Sequence, residues 1–416
     1  MKKLLLFTAL GFSMAVTYAG GYRVSLQGQK ALAMGHTGVA VINSSESVFF
    51  NPASLVYLED KLNISAGVSG VFSNIAYQDA ETGANARSDS PMGTPLYLYA
   101  SYKANDWLAI GLGVYTPYGS EVKYEDDWAG SHLVNNIELQ AIYIQPTVSI
   151  KISDMWSIGG GPIYATGSVK FNRNLNRTLT DLDGNRSNVT VDASGISSWG
   201  WVASTLFTPY ENFHVGFTYR SKIDMDADDG EATFKNIPNS PLTPFKDTSI
   251  KAGLPMPAEM TVGLSYKLHD KWTFAFDFNR AFWDAYKSLD IDFADPNIPD
   301  SKNARNYKNS SVYRFGTQYD VTEMFTLRAG YYFDETPVRE GYFAPETPRN
   351  DSNNFTAGLT VNVSKSLQID ASFLYSHFKE VNASYDYYSE NGNAVPFKGT
   401  YKTNAFVPGL GLTYKL

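Results

Sequence analysis

Five histidines, His36, His132, His214, His269 and His377, are the side chains best suited to proton transfer or metal ligation near neutral pH. None stands at a spacing that would bring two of them to one metal, and no Gly-x-Ser-x-Gly elbow is present to build a serine hydrolase. The chain has no cysteine, so thiolate nucleophiles, thiolate metal sites, disulfides and a lipid-modified N-terminal cysteine are all excluded. The expectation is therefore no enzyme, no metal and no cofactor. What is left is recognition chemistry: tyrosine, tryptophan and phenylalanine as apolar surfaces, and two arginines, Arg314 and Arg328, able to grip a carboxylate in bidentate fashion.

The elements that must position these groups begin at the N-terminus. Lys2 and Lys3 precede an apolar run from Leu4 to Val16, and Thr17, Tyr18 and Ala19 follow as a small-residue cleavage site. Residues 1–19 read as a signal peptide, because the run is too short to span roughly 30 Å of hydrocarbon. No later apolar run approaches the length of a membrane helix, yet the chain holds 28 tyrosines, 25 phenylalanines and 7 tryptophans. Aromatic wealth without a helical span fits an outer-membrane barrel, whose rings meet lipid and whose hydroxyls meet headgroups. A net charge of −8, with no basic stripe, argues against nucleic acid as a partner.

From about residue 60 onward, apolar and polar residues alternate at period two. Trp272, Phe274, Phe276 and Phe278 fall on one face and Thr273, Ala275, Asp277 and Asn279 on the other. Such alternation is the mark of a strand whose faces see different solvents. Short turns at 104–106, 153–155, 209–212, 269–271, 321–323 and 364–366 are mostly followed at once by a ring, namely Trp107, Trp156, Phe213, Trp272 and Phe325. Long polar loops, such as 79–93, 228–255 and 334–350, lie between them. The pattern predicts an all-β fold: a transmembrane antiparallel β-barrel over residues 59–416 with about 14 strands and a ring girdle at the short-turn end. An open sheet edge in hydrocarbon leaves backbone groups unpaired, so the last strand (Leu410, Leu412, Tyr414, Leu416) must pair with the first (Leu62, Ile64, Ala66, Val68).

Residues 20–58 break the pattern. They are dense in small residues, and 25–34 has the spacing of two or three helical turns. A lumen of about 14 strands is too wide for its own side chains to fill, so this segment is expected to plug it. Within that frame Tyr22, Tyr115 and Phe171 are candidate lumen contacts for an apolar ligand. Tyr124, Trp128, Leu133, Val134 and Ile137 are candidates for a first capture site outside. Arg314 and Arg328 share the inward parity of neighbouring strands, where they face either a ligand carboxylate or an ion-pair partner such as Asp277.

Three motif groups then carry a resemblance. Gly35-His36-Thr37-Gly38 and Phe49-Phe50-Asn51-Pro52-Ala53 stand in the plug. Leu254-Pro255-Met256-Pro257-Ala258 leads into Gly263-Leu264-Ser265-Tyr266, and Leu327-Arg328-Ala329-Gly330-Tyr331-Tyr332-Phe333-Asp334 is followed by Pro337, Pro345 and Pro348. With Tyr118-Gly119 and Trp128, they resemble the FadL family of outer-membrane transporters for long-chain fatty acids and other hydrophobic compounds. Leu416 departs from the terminal phenylalanine common in such barrels. The resemblance implies a Gram-negative outer-membrane barrel closed by a hatch carrying Asn51, Pro52 and Ala53. It further implies external loops that collect a hydrophobic ligand, an inner site near the hatch, and exit through a gap in the wall at a kinked third strand. That strand is expected over 107–117, with Gly111 and Gly113 either weakening the ladder or making room for the plug. The partners so implied are hydrophobic small molecules, with outer-membrane lipid and lipopolysaccharide around a monomer. A general diffusion porin and a structural or adhesive barrel are the alternatives.

Overall fold

The structure, a computed structural model, describes residues 22–416 apart from 241, 242 and 349. The expected signal peptide at 1–19 lies outside the described residues. Among them, fourteen strands form a ring: β1 Leu62–Ser69, β2 Leu96–Asn105, β3 Leu108–Lys123, β4 Asn136–Ser153, β5 Trp156–Asn174, β6 Asn188–Tyr210, β7 Phe213–Arg220, β8 Glu259–Leu268, β9 Trp272–Ala281, β10 Ser310–Asp320, β11 Phe325–Asp334, β12 Ser352–Asn362, β13 Leu367–Phe378 and β14 Phe397–Lys415. Each is antiparallel to the next. The ring closes as expected, with Ile64 opposite Tyr414, Ala66 opposite Leu412 and Val68 opposite Leu410. Closure gives every wall strand two partners, which hydrocarbon demands because no water is there to satisfy an edge.

Alternation sets the two faces. On β8, Val262, Leu264 and Tyr266 point outward and exposed, while Thr261, Gly263 and Ser265 are buried inside. Rings crowd the short-turn end, and the indole N–H groups of Trp156 and Trp272 donate to Thr205 and Thr317 hydroxyls on neighbouring strands, each at 2.7 Å. Thus each ring faces outward with its one donor satisfied. Among the described residues, no helix is long and apolar enough to cross a membrane.

The long-loop end is more ordered than the sequence suggested. The stretch 228–255, read as a loop, is largely a hairpin of Ile223–Lys235 and Thr248–Met256 that pairs onto the projecting end of β6. β5 and β6 are 19 and 23 residues long, far more than the 9–11 that a bilayer requires, so they rise above it and carry this outer sheet. The helical turns expected over 25–34 shrink to one short helix, α1 Gln29–Ala33, because Gly28 and Gly35 flank it with positive φ.

Candidate functional site

The N-terminal segment packs inside the ring. After α1 come α2 Ser47–Phe50 and a 3-10 helix at Pro52–Tyr57. Asn51 stands between them in an extended conformation. Its Oδ1 accepts from the Ala53 N–H at 3.1 Å, and its Nδ2 donates to the Val39 carbonyl at 2.7 Å and the Thr205 carbonyl at 3.1 Å. Pro52 follows at the first helical position, where its missing N–H costs nothing. The Ala53 carbonyl accepts from Ser149 and Ser157 hydroxyls. The triplet is therefore a splice that caps a helix, crosses the segment and pins it to β4, β5 and β6. Inward glycines let backbone meet backbone: a Cβ on Gly330 would lie 2.0 Å from the Gly35 nitrogen.

The wall has one pronounced irregularity near this segment. The β3–β4 register jumps from Tyr115 opposite Tyr143 to Tyr118 opposite Ala141, so that Thr116 and Pro117 stand opposite Ile142 alone, one extra residue in β3. β2 begins only at Leu96, so β3 above Thr116 has lost that neighbour. The N-terminal segment takes its place: the Gly119 N–H donates to the Tyr22 carbonyl and the Val24 N–H to the Pro117 carbonyl, both at 2.8 Å. Proline suits the break because it has no N–H to lose. Gly111 and Gly113 do not mark it. Both are paired on each side, and a Cβ on either would press on Val48 of α2.

Three cavities meet at Tyr22–Ser25. The largest, about 280 Å³, lies at the break and is lined by Val24, Leu26, Met92, Pro95, Thr116 and Leu139 among others. A second, about 50 Å³, faces the lumen with Ile137, Leu139, Val169, Ile196, Met225 and Leu254. Tyr22 projects into this apolar chamber; its hydroxyl donates to the Pro255 carbonyl at 2.7 Å and its ring stands edge-on to Trp283 at 4.9 Å. The third, about 40 Å³, is charged and holds Arg23, His36, Arg220, Glu259 and Arg314. Arg23 pairs with Glu259 and Asp334, and Arg220 donates to Tyr115, Gln145 and the Phe49 carbonyl. Among the described residues, Nε of Arg314 and both ring nitrogens of His36 are buried without a hydrogen-bond partner. The Arg314 Nε–H and the one N–H of a neutral His36 ring are unpaired buried donors that suit an anionic group entering from the adjoining chambers.

The candidate residues therefore divide. Tyr22 and Arg314 line cavities. Tyr115 is fully buried and bonded to Gln145 and Arg220, behind the charged chamber. Arg328 belongs to a separate buried network with Gln318, Thr360 and Asp370, beside Lys30 of α1. Trp128, Leu133 and Val134 form no open groove: Trp128 stacks on Tyr124 at 4.0 Å, donates to the Val134 carbonyl, and Leu133 packs on the same core. Phe171 is buried in that core too. Arg23, Arg220 and Glu259 escaped the sequence reading, and His36 entered it only as a histidine of the plug motif; Arg220 and Glu259 stand at strand ends, where parity is a weak guide.

A sealed barrel with an apolar outer face, filled by its own N-terminal segment and chambered inside, defines an outer-membrane transport barrel. The chain belongs to the family described as outer membrane protein transport protein (OMPP1/FadL/TodX), which it matches over residues 12–416. Relatives include the putative outer membrane protein NMB0088 of Neisseria meningitidis serogroup B, 27% identical over all of this chain and 98% of that protein. The long-chain fatty acid transport protein of Escherichia coli K12 is 22% identical over 98% of this chain and all of its own. Among solved structures, a FadL homologue of Pseudomonas aeruginosa superposes with a TM-score of 0.81 at 19% identity, covering 95% of this chain and all of that one. Membership places the protein in the outer membrane as a transporter rather than an enzyme.

Proposed function

We propose that the barrel imports hydrophobic compounds, long-chain fatty acids first among them, and releases them sideways into the membrane at Thr116–Pro117. The observation that carries this reading is the meeting of the apolar chamber, the charged chamber and the wall cavity at one short segment, Tyr22–Ser25. A fatty acid gains about 0.8 kcal/mol per methylene on leaving water, on the order of 10 kcal/mol for a dozen carbons. Such a ligand moves best through dry chambers and has nothing to gain from a water-filled pore. On this reading residues 20–58 are the hatch, Tyr22 occupies the ligand's place in the closed state, and Arg314 with His36 receives the carboxylate. The Escherichia coli relative, a long-chain fatty acid transport protein, favours a fatty acid. Export by removal of residues 1–19, and a monomer surrounded by lipid and lipopolysaccharide, belong to the same reading.

Purified protein is expected to bind radiolabelled long-chain fatty acid, and deletion of residues 20–58 to raise its conductance in planar bilayers. Absence of binding, or an unplugged variant that conducts no better than the intact protein, would contradict the proposal.

A further inference from the structure

The rings expected to form an outer capture site are packed away, yet an open cleft of about 500 Å³ exists on another part of the outer surface. It lies between the strap from Thr336 to Thr347, the strand Val381–Tyr385 and the top of β14. Val338, Phe343, Val381 and Ala383 give it an apolar lining, and Arg339, Lys398 and Glu340 stand exposed around it. Its size falls within the roughly 300–1,000 Å³ of small-molecule pockets. Further along the same strap, Glu346 and Thr347 line the inner apolar chamber beside Tyr22. A single stretch of chain thus borders both spaces.

The strap is held only by non-covalent ties. Tyr342 is bridged to Tyr385, with the Phe343 N–H donating to the Ser384 carbonyl at 3.0 Å and the Asp386 N–H to the Gly341 carbonyl at 2.9 Å. Arg305 lies beneath, donating to the Tyr385 hydroxyl at 3.0 Å and paired with Glu346. Tyr307 and Thr347 share a hydroxyl hydrogen bond at 2.9 Å, and the Tyr124 hydroxyl donates to the Pro345 carbonyl.

We propose that this cleft is an outer binding site for a long-chain carboxylate and that the strap is the gate between it and the inner chamber. Arg339 and Lys398 meet the anionic head, and Val338, Phe343, Val381 and Ala383 take the first methylenes. Opening needs no stranded charge: the ligand's carboxylate can replace that of Glu346 on Arg305, one anion for another, as the strap lifts. The inference rests on the transporter reading and adds to it the place and chemistry of entry.

The cysteine-free chain makes the gate directly testable. Tyr342 and Tyr385 form a non-hydrogen-bonded antiparallel pair, whose Cα separation of about 4.5 Å suits a disulfide. A Tyr342→Cys/Tyr385→Cys variant should lose oleate uptake at least about tenfold when oxidised and regain it when reduced, with oleate binding kept. Separately, Arg339→Glu/Lys398→Glu should weaken oleate binding about tenfold and leave binding of toluene, a neutral probe, unchanged. An oxidised variant that imports oleate like the wild type, or a charge reversal without effect on oleate, overturns the inference while wild-type uptake leaves the transporter reading standing. A wild type that neither binds nor imports oleate removes both.

Discussion

Asn51 makes three hydrogen bonds with one side chain and no charge, joining two turns of the N-terminal segment to β6. Asn51→Ala removes three buried hydrogen bonds and takes the side-chain donor from the Val39 carbonyl, at about 1–3 kcal/mol in segment docking, while the Ala53 N–H keeps the Ser204 hydroxyl. Brief high-conductance openings in planar bilayers should follow; a trace as quiet as wild type would show that the splice is not what holds the segment. His132, in the loop after β3, behaves as a second local lock. Burial, opposed by Glu390 and reinforced by Arg177, Arg173 and Arg186, holds its pKa down to about 4, below the usual 6.5. Its folded pKa lies under its unfolded one, so its contribution is full above about pH 6.5 and is lost as pH falls toward 4. Amide exchange over 128–135, corrected for intrinsic rates, should speed up on acidification across that window, and His132→Phe should remove the effect. Among single residues, Tyr22 and Arg314 were legible in the sequence because segment and strand parity place them inside. Trp128, in a loop, and Phe171, on β5, misled because an aromatic ring reads the same whether it waits for ligand or fills a core.

At the scale of elements, wall strands were legible because lipid and lumen select opposite residues at every second position. The break in β3 was not legible in the alternation, although the family resemblance pointed to that strand. Thr116 and Pro117 stand opposite Ile142 alone, so the inward face passes from odd positions through Tyr115 to even positions from Tyr118, a switch that the small and polar residues just beyond it do not reveal. The glycines of β3 suggested a weak ladder, whereas they give clearance to Val48 of α2. Clearance is the common use of inward glycine here, and it makes a sharp prediction. Gly330→Ala drives a methyl against the Gly35 backbone and should expose the segment to protease. Gly392→Ala, at a loop position with φ +78° and open space around it, should cost only about 1 kcal/mol and leave the segment protected. Equal protection in the two variants would mean that the contact at Gly330 does not hold the segment. The outer hairpin at 223–256 was hidden for a different reason: Ile223, Met225, Ala227 and Ala232 face the core, but the acidic residues set among them make the stretch Asp224 to Glu231 mimic a solvated loop.

For the whole molecule, closure and plugging are two answers to one problem. Fourteen strands remove every edge from the hydrocarbon but leave a lumen too wide to fill with wall side chains. The N-terminal segment fills it and also supplies the missing partner for β3 at the break, so the same residues stop the pore and seal the wall. On the proposed reading, a ligand that displaces Tyr22–Val24 opens a way into the wall cavity while the rest of the segment still blocks the periplasmic side. The decisive measurement is oleate binding and cellular uptake in a variant lacking Pro117, the one surplus residue, whose β3 can pair continuously with β4. The account predicts near wild-type binding with uptake reduced to background; uptake at the wild-type rate through an unbroken wall would contradict it.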